Sequence, residues 1–441
     1  MDNRLLAGTT KVDITPPLGY LLQGHTIRNK PSKRVHDQLG LKVVSISKES
    51  ERMVLVSCDL LCFTKDFVED VRAEITEKTG LLPHQVLLCC SHTHTGPFTL
   101  DLLGSDPRNF VPEYLSIVKK KIAGAVIESM SNQVPVKVKY GRANVDMGII
   151  NRRRKNPDGT IGGPDTTGFI DYEVSVLSFE RDEGDPLAIL FNYGCHPTTL
   201  SADIYEVSAD YPGAAQKEIE SFYYKTNAIF TNGCLGDVRP ALLDEEEHNF
   251  RGGSFEDMRR MGRLLASGAI QARETSVLLN VEKLETRLEK FSFNLDRNFL
   301  FQDKQALEDN FLKLVYKFRK TYQPLESEIR WKNFWLDKIN RKEVIPQEII
   351  REIHLFKIGG VSLVGLPGET VAEIGLKIKQ KLKNAFTIGL SNGYLSYIPS
   401  ATTLKEGGYE ASLFFYQDSP GPFSVDMEEK LLDKIFSMVE K

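Results

Sequence analysis

The stretch "HQVLLCCSHTHTGP", residues 84–97, carries five consecutive apolar residues into a polar cluster holding two of the chain's eight histidines. A run of that length bounded by Pro83 and Gly96 reads as a buried strand rather than a helix. Residues two apart on a strand point to the same side. His92 and His94 are therefore expected to face one point at the mouth of a sheet. That arrangement suits two metal ligands, a ligand beside a catalytic group, or an incidental loop pair. The pattern recurs in "YGCHP" (193–197), "NGCLGDVRP" (232–240) and "LPGET" (366–370), each directly after an apolar run. In open α/β sheets ligands bind beyond the carboxyl ends of the strands. Four such tips predict an α/β fold, a mixed β-sheet core flanked by helices, with one shared pocket.

The flanking sequence supports this reading. "RMVLVSCDLLCF" (52–63) is a second buried strand. A helix is expected from about Lys65, with Phe67, Val68, Val71 and Ile75 on one face and a stop at Gly80. "PEYLSIVKKKIAGAVIESM" (112–130) has Pro112 in its first turn and a stripe of Leu115, Val118, Ile122 and Val126. "YEVSVLSFE" and "LAILFNYG" read as antiparallel neighbours around the turn "RDEGDP". "NAIFTNG" is another strand, and "MRRMGRLLASGAIQA" another helix. Residues 294–342, rich in Lys, Glu and aromatics at helical spacing, read as a helical insertion or cap. The chain then returns through "IHLFKIGGVSLVGLP" to a last helix near Asp426–Val439. With no internal repeat and no low-complexity linker, residues 1–441 are expected to form a single catalytic domain.

Composition excludes several classes. Of the 441 residues, 41% are apolar and 26% charged, as in ordinary globular proteins. The 56 basic and 60 acidic residues give a net charge of −4. This lacks the basic excess of a nucleic-acid-binding face, so no nucleic-acid partner is expected. No apolar run reaches the roughly 20 residues of a membrane helix, so no stable membrane insertion is expected. The N-terminus shows no basic region and apolar core of a secretion signal. None of the six cysteines has CxxC spacing. Buried free thiols and a cytoplasmic location are the expectation.

Zinc takes imidazole nitrogen and carboxylate oxygen and leaves a position for water when catalytic. His92, His196 and Glu369 all follow strand ends. Glu369 reads either as a first-turn carboxylate of the helix "ETVAEIGLKIKQKL" or as a residue reaching into the site. Each histidine alone is more simply a satisfied polar residue, the reading kept for His25, His36, His84, His248 and His354. No HxHxDH, HExxH, GxSxG or GxxxxGK[ST] motif is present.

"SHTHTGP", "YGCHPTTL" with "SADYPG", "NGCLGDVRP", "LPGET" and "NGYLSYIPSATTLKEGGYEAS" follow one another as in the neutral (alkaline, non-lysosomal) ceramidase family. "AGTTKVDITPPLGYLLQGH" and "VHDQLGLKVVSI" resemble that family's N-terminal segment. The resemblance runs from about Ala7 to Ser412 and is weakest between Asn294 and Lys342. It implies a zinc held by His92, His196, Glu369 and Tyr397, with His94, Arg152 and Tyr409 around the scissile carbonyl. Arg153 and Arg154 adjoin Arg152, and a solvated loop is the simpler expectation for both. Core packing is the plain alternative for Tyr397 and Tyr409.

The implied activity is amide hydrolysis of an N-acylated or small polar substrate by a zinc-activated water. His94, with an ordinary pKa of about 6.5, serves as proton carrier. A zinc hydrolase of an ester or sugar-derived linkage, and a non-catalytic binding protein on the same fold, are the alternatives. Two departures stand out. Arg239 occupies the position of a family serine, leaving either an anionic substrate group or Asp237 as its counterpart. The family's C-terminal immunoglobulin-like domain is also not expected within these 441 residues.

Overall fold

The computed structural model describes residues 4–100, 103, 109–246 and 248–440. The outermost residues of the expected 1–441 domain therefore lie outside the described residues. Three main sheets form the core. In the first, Val86–Cys90 lies parallel to Glu51–Cys58, and Gly40–Lys48, Leu6–Asp13 and Val134–Pro135 follow antiparallel. A parallel pair needs a crossover, and the helix Lys65–Thr79, ended by Gly80, supplies it. The second sheet orders Asn227–Asn232, Pro186–Tyr193, Glu173–Glu180, Lys137–Asn144 and Val277–Leu278. Its Glu173–Glu180 and Pro186–Tyr193 strands are the expected antiparallel neighbours. The third orders Leu284–Asn294, Glu348–Ile358, Val361–Gly365 and Ala385–Ile388.

The unbroken apolar runs follow from burial on both faces. Leu55, Leu87 and Cys89 of the first sheet meet Leu190 and Ile229 of the second and Leu363 and Phe386 of the third in one shared core. Their neighbours Val54, Val56, Leu88 and Cys90 face the other way, onto the helices Lys65–Thr79 and Pro112–Ser131. The helices Asp210–Phe222 and Phe255–Glu274 cover the second sheet. The segment expected as a helical insertion holds two helices, Lys304–Arg319 and Glu326–Asn340. They pack Phe311, Phe318, Trp331 and Trp335 onto the third sheet together with Phe414, Phe415 and the final helix Met427–Glu440. Each such large apolar side chain contributes about 1.5–3 kcal/mol when buried. Among the described residues no helix is long and apolar enough to cross a membrane.

Backbone hydrogen bonds tie the strand tips to one another. Gly233 N donates to Tyr193 O, Gly236 N to Thr370 O, Gly389 N to Asn232 O and Asn392 N to Leu88 O, at 2.8–2.9 Å. The Asn232 side chain adds a bond to Ser91 O at 2.8 Å. The carboxyl ends of all three sheets are thus fixed around one point.

Helix Phe255–Glu274 lies so close to the second sheet that a Cβ on Gly141 would sit 1.8 Å from Ala272 O, a backbone atom with no freedom to yield. Replacing Gly141 with Ala should cost about 2–4 kcal/mol of unfolding free energy. Urea denaturation measures it, and a loss within 0.5 kcal/mol (about the surface-substitution range) would show that the helix and strand are free to part.

Candidate metal centre

The opening histidine pair does not sit on a strand. The Val86–Cys90 strand ends two residues earlier, and His92 has φ 69°, in the left-handed region. Histidine is among the few side chains enriched there, at a modest energetic cost. This backbone turn, rather than strand alternation, brings the His92 and His94 rings to 4.9 Å. His196 joins from the tip after Pro186–Tyr193, its ring 5.2 Å from His92 and 5.9 Å from His94. One nitrogen from each of the three imidazoles lies within 4.8 Å of the others.

Glu369 completes the group. It lies in the two-residue strand Glu369–Thr370, paired with Tyr397–Ile398, and the helix begins only at Ala372. Of its two expected roles, first-turn carboxylate is therefore excluded. Its Oε2 is 2.8 Å from His196 Nε2 and 3.3 Å from His92 Nε2. Tyr397 places its hydroxyl 3.1 Å from His196 Nε2.

Proton accounting shows what this cluster lacks. His92 Nδ1 meets Leu61 O at 2.9 Å and His196 Nδ1 meets Leu235 O at 2.8 Å. A carbonyl only accepts, so Nδ1 carries a proton in both rings and Nε2 is the nitrogen left to face the site. Both Nε2 atoms point toward the same carboxylate oxygen. Burial, then Arg152, pushes His196 down to about 4, so it stays neutral at pH 7. Burial opposes ionisation of Glu369, but the two imidazoles outweigh it and hold the carboxyl well below its usual range. Two imidazole nitrogens and a carboxylate oxygen thus converge in a buried site, where negative charge calls for a cation. A divalent cation meets that need, and nitrogen, carboxylate and phenol donors suit zinc. The residues fit the ion.

His94 differs from the other two. Both its ring nitrogens are buried without a hydrogen-bond partner, so no carbonyl fixes its tautomer. Burial first, then His92, His25 and His196, lowers its pKa well below the ordinary value used in reading the sequence. His94 is therefore neutral at rest and stores no proton. Its ring packs directly on Gly24, where φ is +110° and a Cβ would lie 2.4 Å from His94 Cγ.

Arg152 reaches the site from the strand Ile149–Asn151, its amide bonded to Asp237 O at 2.9 Å. Its Nη2 donates to Tyr397 Oη at 2.9 Å and to Gly236 O at 2.8 Å, while Nε meets Glu410 at 2.8 Å. Arg153, expected in a solvated loop, is instead buried and bonded to Glu410 at 2.5 Å and to Gly407 O at 3.0 Å. The acid that redirects it lies 257 residues away. Arg154 stays at the surface, bonded to His248 O. Tyr409 is half exposed rather than core-packed, its ring 5.5 Å from Tyr397 and 5.3 Å from the Arg152 guanidinium. The insertion holds its loop, with Gly408 N donating to Phe318 O at 3.0 Å.

Three contributors escape a reading by motif. Tyr394 donates its hydroxyl to Glu369 Oε1 at 2.8 Å. Glu410 pairs with two arginines, Arg152 and Arg153. His25 lies 5.3 Å from His94 with a buried, unpartnered Nε2. All three fall inside the quoted motifs, and Glu410 directly follows Tyr409, so membership of those motifs was the available signal. Arg239 forms no ion pair with Asp237. That carboxylate accepts from Asn151 Nδ2 at 3.0 Å and Ala372 N at 2.8 Å.

Comparison with known proteins agrees with this arrangement. The chain is 22% identical to the neutral ceramidase of Pseudomonas aeruginosa over 93% of its own length and 69% of that protein's. It is 25% identical to neutral ceramidase A of Dictyostelium discoideum, over 48% of its own length and 31% of that protein's. The crystal structure of the Pseudomonas aeruginosa neutral ceramidase superposes on the whole chain and 75% of its own, with a TM-score of 0.73 at 19% identity, and so shares the fold. The family model for the N-terminal part of neutral/alkaline non-lysosomal ceramidases matches residues 5–258. With more than half of the sequence matched, this chain belongs to the neutral/alkaline non-lysosomal ceramidase family.

Proposed function

We propose that this protein is a zinc-dependent hydrolase that cleaves the amide bond of an N-acylated small molecule. As a family member it is a hydrolase acting on an amide bond; the metal, the substrate and the residue roles are our reading. One observation carries it. Nε2 of His92 and Nε2 of His196 converge on Oε2 of Glu369 at 3.3 and 2.8 Å, while Nδ1 of each ring is tied to a backbone carbonyl. We assign His92, His196, Glu369 and Tyr397 as the zinc ligands. The two assigned histidines have carbonyl-bound Nδ1 protons, the outer contact usual for metal-bound imidazoles, and His94 has none.

Bound zinc supplies Lewis acidity, lowering the pKa of a water molecule to about 7. The protein groups do the rest. The C–N bond breaks as a C–O bond forms, and the departing nitrogen must gain a proton. His94, neutral and with both ring nitrogens free, takes the proton released on attack and passes it to that nitrogen. Arg152 holds Tyr397 by its hydroxyl and keeps positive charge beside the developing oxyanion. Tyr409, exposed at the rim, offers its hydroxyl to the carbonyl oxygen. Removing one such donor typically costs about 3 kcal/mol. We read residues 1–441 as one catalytic unit because the three sheets share a core. Six free, buried cysteines accord with the reducing cytoplasm.

Metal analysis with turnover of paired N-acyl amides and O-acyl esters tests this function. Wild-type protein should carry about one zinc per chain and release amine. His92→Ala should lose the metal, whereas His94→Ala should keep it and lose about a hundredfold or more in kcat. Loss of zinc from His94→Ala would move that residue into the ligand set. Ester cleavage without amide cleavage would favour the ester alternative, and metal-free wild type the binding protein. Tyr394→Phe, which unties Glu369 Oε1, should weaken zinc affinity about tenfold to a hundredfold with little effect on Tm. Unchanged affinity in a chelator competition would show that Glu369 holds its position alone.

A further inference from the structure

Among the described residues, Arg239 is a cation without a counterion beside the candidate metal centre. It sits on the short strand Val238–Pro240, opposite Ile150 in the register of Ile149–Asn151. Its neighbour Val238 accepts the amide of His196 at 2.9 Å, and Arg152 N bonds Asp237 O two residues earlier. The side chain thus departs from the backbone that joins a proposed zinc ligand to Arg152. The other arginines nearby are satisfied. Arg152 and Arg153 share Glu410, and Arg153 also meets Glu406. Arg28 donates to the carbonyls of Ser201, Ala202 and His94. Arg239 makes no ion pair among the described residues, and its buried Nε has no hydrogen-bond partner.

What it has is a shelf. Its guanidinium carbon lies 4.1 Å from the centre of the Phe250 ring, on the loop closed by the Leu243–Phe250 bridge. Stacking fixes the plane of a guanidinium through its face and leaves the in-plane N–H groups to donate. Those edges match a carboxylate, which accepts two parallel bonds. A part-buried cation without a counterion is costly, and an arriving anion relieves that cost. The charge of Arg239 also reaches His25, Arg152 and Tyr397, so it belongs to the same site.

We propose that the substrate carries a carboxylate, bound edge-on by the Phe250-stacked guanidinium of Arg239, and that this selects an N-acyl amino acid over a neutral N-acyl amino alcohol. One free guanidinium balances one negative charge, which favours a monoanion. The inference rests on the amide-hydrolase reading and narrows its substrate class.

The test uses zinc-loaded protein and two probes of equal acyl length, N-octanoyl-serine and N-octanoyl-serinol, differing in carboxylate against hydroxymethyl. Calorimetric binding and amine release are measured for wild type, Arg239→Gln and Phe250→Ala, with zinc content and Tm as controls on folding. Wild type should prefer the carboxylate by about tenfold or more, in both Kd and kcat/KM. Arg239→Gln should abolish the preference through KM while retaining zinc, and Phe250→Ala should reduce it. An equal preference in wild type and Arg239→Gln, or binding of neither probe, overturns the inference. If neither probe releases amine but binding keeps the Arg239-dependent preference, the amide reading falls and the anion site stands.

Discussion

The site depends on one buried negative charge. Glu369 places Oε2 against Nε2 of His92 and of His196, whose Nδ1 atoms are committed to the Leu61 and Leu235 carbonyls. In water such a cluster would reorganise at little cost. Here both histidines and the carboxylate are almost fully buried, and the strand tips that carry them are locked by backbone hydrogen bonds. A low-dielectric setting makes the unmet charge expensive and the arrival of a cation correspondingly favourable. The fold holds in place the proposed ligands, which would otherwise turn to protein partners.

Three sheets rather than one supply those tips. His92 follows a strand of the first sheet, His196 one of the second, and Glu369 one of the third. The shared core of Leu87, Leu190, Ile229, Leu363 and Phe386 therefore sets the spacing of the three proposed ligands. The outer contacts are built the same way. Tyr394 anchors the free oxygen of Glu369, while Glu410, buried and paired to two arginines, aligns Arg152 with the Tyr397 hydroxyl. The two helices of residues 304–340 hold the loop that carries Tyr409 at the rim.

Much of this was legible in the sequence. Short apolar runs ending in His, Gly or Pro marked the strand tips, and helical stripes such as Leu115, Val118 and Ile122 marked what covers the sheets. The convergence of His92, His196, Glu369, Tyr397 and Arg152 followed from a resemblance spread over distant motifs. What escaped depended on long-range pairing or local backbone conformation. Arg153 looked solvated because its partner Glu410 is 257 residues away. The left-handed turn at His92 has no composition signature, since the residue is not glycine. His94 looked like an ordinary titrating histidine because a sequence does not display burial or neighbouring rings. His25 was passed over for the same reason.

The most direct test of the central claim is anomalous diffraction above and below the zinc edge, from crystals of the full chain grown with Zn²⁺. The account predicts one peak bounded by Nε2 of His92 and His196, an oxygen of Glu369 and the hydroxyl of Tyr397, with ligand distances of about 2.0–2.2 Å. Absence of a peak there, with Glu369 bonded directly to protonated imidazoles, would contradict it.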